Sequence, residues 1–174
     1  MKESDGEKKQ KGGMELIIRG YESEDLPSMI EIWNRVVEEA NAFPQTALMM
    51  PEEAMEFFAD QTYTGVAVLE GEIVGLYILH PNNIGRCDHI ANASYAVRDG
   101  RRGHKIGETL VRHSLKTAKD KGFKLMQFNA VVSTNHMAIH LYEKIGFTRL
   151  GVIPGGFLLE DGSYSDIILY YISL

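Results

Sequence analysis

Cysteine is almost missing: Cys87 is the only one in 174 residues, so no disulfide can close within the chain and Cys-rich zinc patterns are excluded. No apolar run approaches the ~20 residues of a membrane-spanning helix. The first residues carry Lys and Glu where a secretory signal needs an apolar core. By default these absences predict a cytoplasmic protein with no membrane partner. Positive charge is short as well. With 18 Lys and Arg against 24 Asp and Glu the net charge is −6, which argues against nucleic acid, whose phosphates need clustered cations. Neither G-x-x-x-x-G-K-[ST] nor G-x-G-x-x-G occurs, so a triphosphatase P-loop and a dinucleotide fingerprint are excluded. His136 and His140 have a spacing that could ligate a metal. No third ligand accompanies them at a telling distance, and no metal is expected. Asp161-Gly162-Ser163-Tyr164 lacks the spacing of a calcium loop and reads as a turn.

What remains is an ordinary globular composition, 44% hydrophobic and 24% charged, in a length that suits one domain. Residues 1–13 are polar and aperiodic and read as a flexible extension, leaving a single domain over 14–174. Within it, hydrophobic periodicity alternates between two and 3.6. Residues 16–19 predict a strand. Ser23 and Asp25 are candidate caps for a helix whose face carries Met29, Ile30, Trp33, Val36, Val37 and Ala40. A loop over 41–50 is long enough to border a site, and a second helix starts at Pro51. Packing against the sheet is the expected role of the Met and aromatic residues over 49–58. Segments 64–69 and 73–79 form a hairpin about Glu70-Gly71-Glu72, and 90–97 is a further strand. A helix with Ile106, Leu110, Val111 and Ala118 inward stops at Gly122, and 125–131 is a strand. The next helix, 135–145, presents Met137, Ala138, Leu141 and Ile145 on one face. Two strands, 147–153 and 166–172, close the chain. The order β-α-α-β-β-β-α-β-α-β-β predicts an α/β fold with a mixed sheet, parallel across the helical crossovers and antiparallel in the hairpins.

The basic residues concentrate in one place. Strand 90–97 runs into Arg98, Gly100, Arg101, Arg102 and Gly103, and a helix follows at once. Exposed amides at a helix start, its positive dipole end and nearby guanidinium groups make a local anion site; a solvated turn is the bland alternative.

This strand–loop–helix resembles the acetyl-CoA signature [RQ]-x-x-G-x-[GA] of the GCN5-related N-acetyltransferases (GNAT). Arg102 stands at its first position and Gly107 at its last, with Gly103, His104, Lys105 and Ile106 between. Lys105 departs from the pattern, standing where the middle glycine belongs. Downstream, Asn135-His136-Met137-Ala138-Ile139-His140-Leu141-Tyr142-Glu143-Lys144-Ile145-Gly146-Phe147 is similar to the second motif, N-x-x-A-x-x-x-Y-x-x-x-G-F. The resemblance runs from about residue 16 to 171. It implies the acyl-CoA N-acyltransferase fold, a mixed, centrally splayed sheet flanked by helices. It also implies acetyl-CoA as co-substrate and transfer to the amine of a small molecule, and it leaves a homodimer open. The Asp-Gly-x-Tyr-x-Asp turn further resembles relatives grouped with acyltransferases for amino acids or their analogues.

Transfer from a thioester to an amine needs a neutral amine, donors for the developing oxyanion and a proton for the departing thiolate. An alkyl amine with a lysine-like pKa is only roughly one part in 10³ neutral at pH 7, equivalent to about 4 kcal/mol. The resemblance assigns the proton to Tyr142 and the pyrophosphate to the amides over 102–107. Asn135 contacts the pantetheine arm, besides capping its helix, and Ala96 and Val97 supply backbone contacts, the Val97 amide serving the oxyanion. Asn92 stands where many relatives carry a glutamate base; it could bond the amine or hold a water, but cannot take a proton. Asp88 and His89 are alternative bases, and Glu31 and Glu38 candidate contacts for a cationic substrate. A non-catalytic acetyl-CoA-binding module and a protein N-acetyltransferase remain open on these residues.

Overall fold

The computed structural model describes residues 15–101 and 105–174. The N-terminal extension expected over 1–13 lies outside them. β1 (Leu16–Gly20), β2 (Tyr63–Leu69), β3 (Glu72–Pro81), β4 (Ile90–Val97), β5 (Leu125–Val132), β6 (Thr148–Leu158) and β7 (Tyr164–Ser173) form one mixed sheet in the order β1-β2-β3-β4-β5-β7-β6. The helices are α1 (Leu26–Glu38), α2 (Pro51–Ala59), α3 (Ile106–Asp120) and α4 (His136–Ile145). No helix among the described residues is long and apolar enough to cross a membrane.

Each face of the sheet has its own core, because successive strand residues point to opposite sides. On one face Tyr77, Leu79, Ala91 and Met126 meet Leu110, Val111 and Ala118 of α3, with Leu141 and Ile145 of α4 packed alongside. On the other, Val66, Leu76 and Ile78 meet Met29, Trp33 and Phe58 of α1 and α2. Each fully buried large side chain contributes about 1.5–3 kcal/mol. The start of α1 is fixed differently from the capping expected of Asp25. Its carboxylate accepts from the Glu22 amide at 2.8 Å and from Arg19 Nη1 and Nη2 at 2.6 and 3.0 Å. That forked pair pulls the Asp25 pKa down, the Arg19 hydrogen bond first and the Glu22 amide adding to it.

Two departures from the sequence reading shape the site. The crossover through α3 does join parallel neighbours, β4 and β5. The crossover through α4 does not, because β7 inserts between β5 and β6 and pairs antiparallel with both. β6 also continues past Ile153, where the expected strand ended, through Pro154-Gly155-Gly156 to Leu158. A Cβ on Gly156 would meet Ile167 Cγ1 at 2.5 Å, so only glycine permits this close approach. The bulge there carries Phe157 to the edge of the cleft described next.

Candidate active site

β4 and β5 pair only at Ile90–Leu125 and Ala91–Met126, then separate. A cleft of about 920 Å³ opens in the gap, lined by β4, the start of α3, one side of α4 and the 41–44 segment. The volume is in the range of small-molecule and cofactor sites.

The open edge of β4 has a definite polarity. The Arg98 amide donates to Val74 O of β3 at 2.8 Å. Peptide groups alternate along a strand, so the Ala96 amide also faces β3, while the Tyr95 and Val97 amides face the gap that β5 has left. Val97 therefore presents an N–H to the cleft. Ala96 does not belong to that wall: its side chain is 1% exposed, in the α1–α2 core, and its peptide is turned to β3.

Of the expected anion loop, Arg102, Gly103 and His104 lie outside the described residues. Lys105 begins α3 with φ +56° and ψ +22°, the left-handed region that favours glycine. The position thus calls for glycine on backbone grounds, and lysine holds it at a cost of about 1–2 kcal/mol. Lys105 lines the cleft, as does Gly107, which sits against Leu141 of α4. Ile106 is buried in the core at 2% exposure. The two described arginines of the cluster are committed elsewhere: Arg98 to Glu31 at 2.9 Å and to Ile73 O, Arg101 to Glu72. Glu108, in the first turn of α3, would repel an anion there. Lys144 at 2.7 Å and Arg112 at 2.9 Å neutralise it and hold its pKa below the usual carboxylate range.

α4 starts on Asn135, whose Oδ1 accepts from the Ala138 amide at 3.2 Å. Met137, expected inward, is 64% exposed and borders the cleft. Tyr142 packs among Phe128, Phe147, Tyr170 and Tyr95, with ring centroids 4.6, 5.5, 6.2 and 6.4 Å away. Three nearby tyrosines satisfy their hydroxyls: Tyr77 with His113 at 2.8 Å, Tyr95 with Ser114 at 2.7 Å, and Tyr170 with Glu143 at 2.8 Å. Tyr142 lines the cleft, and among the described residues its hydroxyl has no hydrogen-bond partner. Burial pushes its pKa up, so it is protonated at neutral pH.

The acceptor side is less as expected. Asn92 lines the cleft and its Nδ2 donates to Asn82 Oδ1 at 3.0 Å. Asp88 and His89 are exposed and stand off the cleft wall. Glu31, paired with Arg98, and Glu38, 3.6 Å from Arg35, both stand off the cleft wall. In their place Arg35, Glu39 and Asp99 rim the opening, with Asn41, Phe43 and Pro44 beside them. Among the described residues no group of three metal-ligating side chains occurs. Arg35, Glu39, Asp99, Asn82 and Asn129 are among the neighbours that sequence reasoning did not single out; for Asn41, Phe43 and Pro44 the expected loop over 41–50 was a signal.

Comparison with known proteins agrees with this geometry. The profile of the acetyltransferase (GNAT) family matches residues 26–147. The N-acetyltransferase aca1 of Schizosaccharomyces pombe is 33% identical over 126 residues, 72% of this chain and 60% of that protein. The chain thus spans less than two thirds of that relative's length. The GCN5-related N-acetyltransferase of Kribbella flavida superposes with a TM-score of 0.85 at 28% identity, covering 91% of this chain and 98% of that one. The same fold, at 20% identity and a TM-score of 0.85, occurs in a phosphinothricin acetyltransferase from Sinorhizobium meliloti in complex with acetyl-CoA, covering 91% of this chain and 88% of that one.

Proposed function

The chain belongs to the acetyltransferase (GNAT) family, and on that premise we propose that it moves the acetyl group of acetyl-coenzyme A to a primary amine of a small molecule, by direct attack in a ternary complex. When bound, the coenzyme supplies an activated acetyl thioester. The residues present fit such a group: a split between two strands, an unused strand amide, a helix start and an unpartnered phenol meet in one cleft.

The amides at the start of α3, Lys105 and the loop over 102–104 hold the pyrophosphate, with Glu108 already neutralised. Val97 N–H donates to the thioester oxygen as the amine nitrogen attacks and negative charge develops there. Asn92 offers its side-chain oxygen to an N–H of the amine, whose proton leaves through water. Tyr142 gives its proton to the sulfur as the C–S bond breaks, and regains one from the solvent path. A phenol kept protonated by burial is a reservoir for that step. The observation that carries the reading is the hydroxyl of Tyr142, which lines the cleft without a hydrogen-bond partner among the described residues, while those of Tyr77, Tyr95 and Tyr170 are bonded. The mixed-charge rim of Arg35, Glu39 and Asp99 suits a small polar amine better than an apolar one.

Two measurements test this. Acetyl-CoA at 100 times its dissociation constant raises stability by about 2.7 kcal/mol, seen as a melting shift that a plain nucleotide does not reproduce. Thiol release across a library of amines then identifies the acceptor. No melting shift would remove the coenzyme site. A shift with no thiol release on any amine would make the chain a non-catalytic binding module, and release on peptides alone would make it a protein N-acetyltransferase.

A further inference from the structure

At the foot of the split, where the β4–β5 ladder ends, three hydrogen bonds among four side-chain amides take the place of the missing backbone bonds. The last paired residues are Ala91 and Met126. Asn92, the next residue of β4, donates from Nδ2 to Asn82 Oδ1 at 3.0 Å, and Asn129 of β5 donates from Nδ2 to the same oxygen at 2.6 Å. Gln127 Nε2 in turn donates to Asn129 Oδ1 at 3.0 Å. Asn82 belongs to neither strand. It follows β3 directly, and its amide is tied to Ile90 O at 2.7 Å across the β3–β4 connection. One anchored oxygen thus bridges the two diverging strands.

We infer that Asn82 is a positioning residue for acetyl transfer: by binding the nitrogen of Asn92 and that of Asn129, it turns the Asn92 oxygen toward the acceptor amine. This deepens the transferase reading and rests on it. An amide has one accepting and one donating end. With Nδ2 held by Asn82, and no other hydrogen bond to the Asn92 side chain among the described residues, the oxygen is the end left for a ligand. An oxygen acceptor selects a nitrogen that still carries hydrogen, a primary or secondary amine, and orients its lone pair instead of removing its proton. A misplacement of about 1 Å at a reacting atom costs up to about 10²-fold in rate. The bridge has that leverage because the strands have no ladder between them at this point.

Asn82→Leu and Asn82→Asp separate the bridge from simple packing. Leu fills the space and accepts nothing, whereas Asp keeps an oxygen where both nitrogens donate. Asn82 is half-buried outside the core, so both variants should fold. In 15N-labelled protein, the Asn92 and Asn129 side-chain amide resonances should move in the Leu variant and stay close to wild type in the Asp variant. With the amine found by thiol release, kcat/KM should fall about 10- to 100-fold in the Leu variant and within about threefold in the Asp variant. Acetyl-CoA affinity should hold within about twofold in both. Unmoved resonances in the Leu variant, or equal losses in both variants tracking their melting temperatures, would overturn the inference. A wild-type protein that turned over no amine would sink the transferase reading instead, and the resonances would still decide whether the bridge exists.

Discussion

The coenzyme wall and the acceptor wall of the cleft are held by different means. On the coenzyme side, short-range devices dominate. A strand edge, a helix start at Lys105, an Asn135 cap and a tyrosine two turns into α4 all lie within two continuous segments. On the acceptor side, Arg35, Phe43, Asp99, Asn92 and Asn129 come from separate parts of the chain. They meet through long-range contacts: Phe43 against Trp33 at 4.3 Å, Arg35 toward Asp99 at 3.8 Å, and the Asn82 bridge. The first wall can lose a functional atom and keep its shape. The second uses the same residues for packing and for binding, so damage there should register as instability.

Tyr142→Phe should break the comparison most sharply. The ring contacts survive and a hydroxyl with no partner among the described residues is removed, so the melting temperature and acetyl-CoA affinity should change little while kcat falls by about 10²–10⁴. The loss should shrink with acyl donors whose thiol is more acidic. Full activity in a well-folded variant would remove Tyr142 from the mechanism and leave water as the proton source.

Phe43→Ala is the counterpart on the other wall. A Phe only 7% exposed, tilted against Trp33, should cost about 3 kcal/mol of stability when truncated. The KM for the amine should rise while coenzyme affinity, measured well below the lowered melting point, stays near wild type. An equal loss of coenzyme affinity would show that the walls are not separable.

Asp25 tests what holds α1, and with it Arg35 and Glu39, in place. Its folded pKa is depressed, so its stabilising contribution is present above the unfolded value near 3.9 and is lost as pH falls through the lower folded value. Asp25→Asn should lower stability by about 1 kcal/mol at pH 7, discounted for the part-exposed Arg19. Between pH 5 and 3 the variant should lose less stability than wild type. Parallel pH curves would mean that the pair contributes nothing.

The smallest effect is expected at Lys105. Lys105→Gly removes the left-handed penalty but adds backbone entropy to the unfolded chain, a net gain of about 0.5–1 kcal/mol. Among the described residues Lys105 has no carboxylate partner. Losing its charge should therefore weaken acetyl-CoA binding several-fold even as melting rises. Tighter binding would show that the side chain obstructs the phosphate.

Legibility in the sequence follows the same division between the walls. Asn135 could be singled out because cap chemistry is written in neighbouring residues, and Lys105 because it departs from the motif that the segment resembles. Only the resemblance singled out the Val97 amide over Ala96; the residues themselves do not, since which of two adjacent amides faces the gap depends on which side of β4 pairs with β3. Arg98 and Arg101 looked like anion ligands because charge is visible in sequence; their carboxylate partners, 67 and 29 residues away, are not. Met137 kept the spacing of a buried helix face, yet α4 leaves that side open to the cleft.

By itself, then, the sequence determined the kind and order of the elements and the two motif-bearing segments, because hydrophobic period, caps and turns act over a few residues. Tertiary structure alone decided that β7 lies between β5 and β6, that β4 and β5 part after two residue pairs, and that Tyr142 lines the cleft with its hydroxyl without a partner among the described residues. It also decided that Asn82 reaches both diverging strands. Each of these depends on register and contact between segments tens of residues apart, where the pairing is chosen by the packing of the whole sheet and by no local preference.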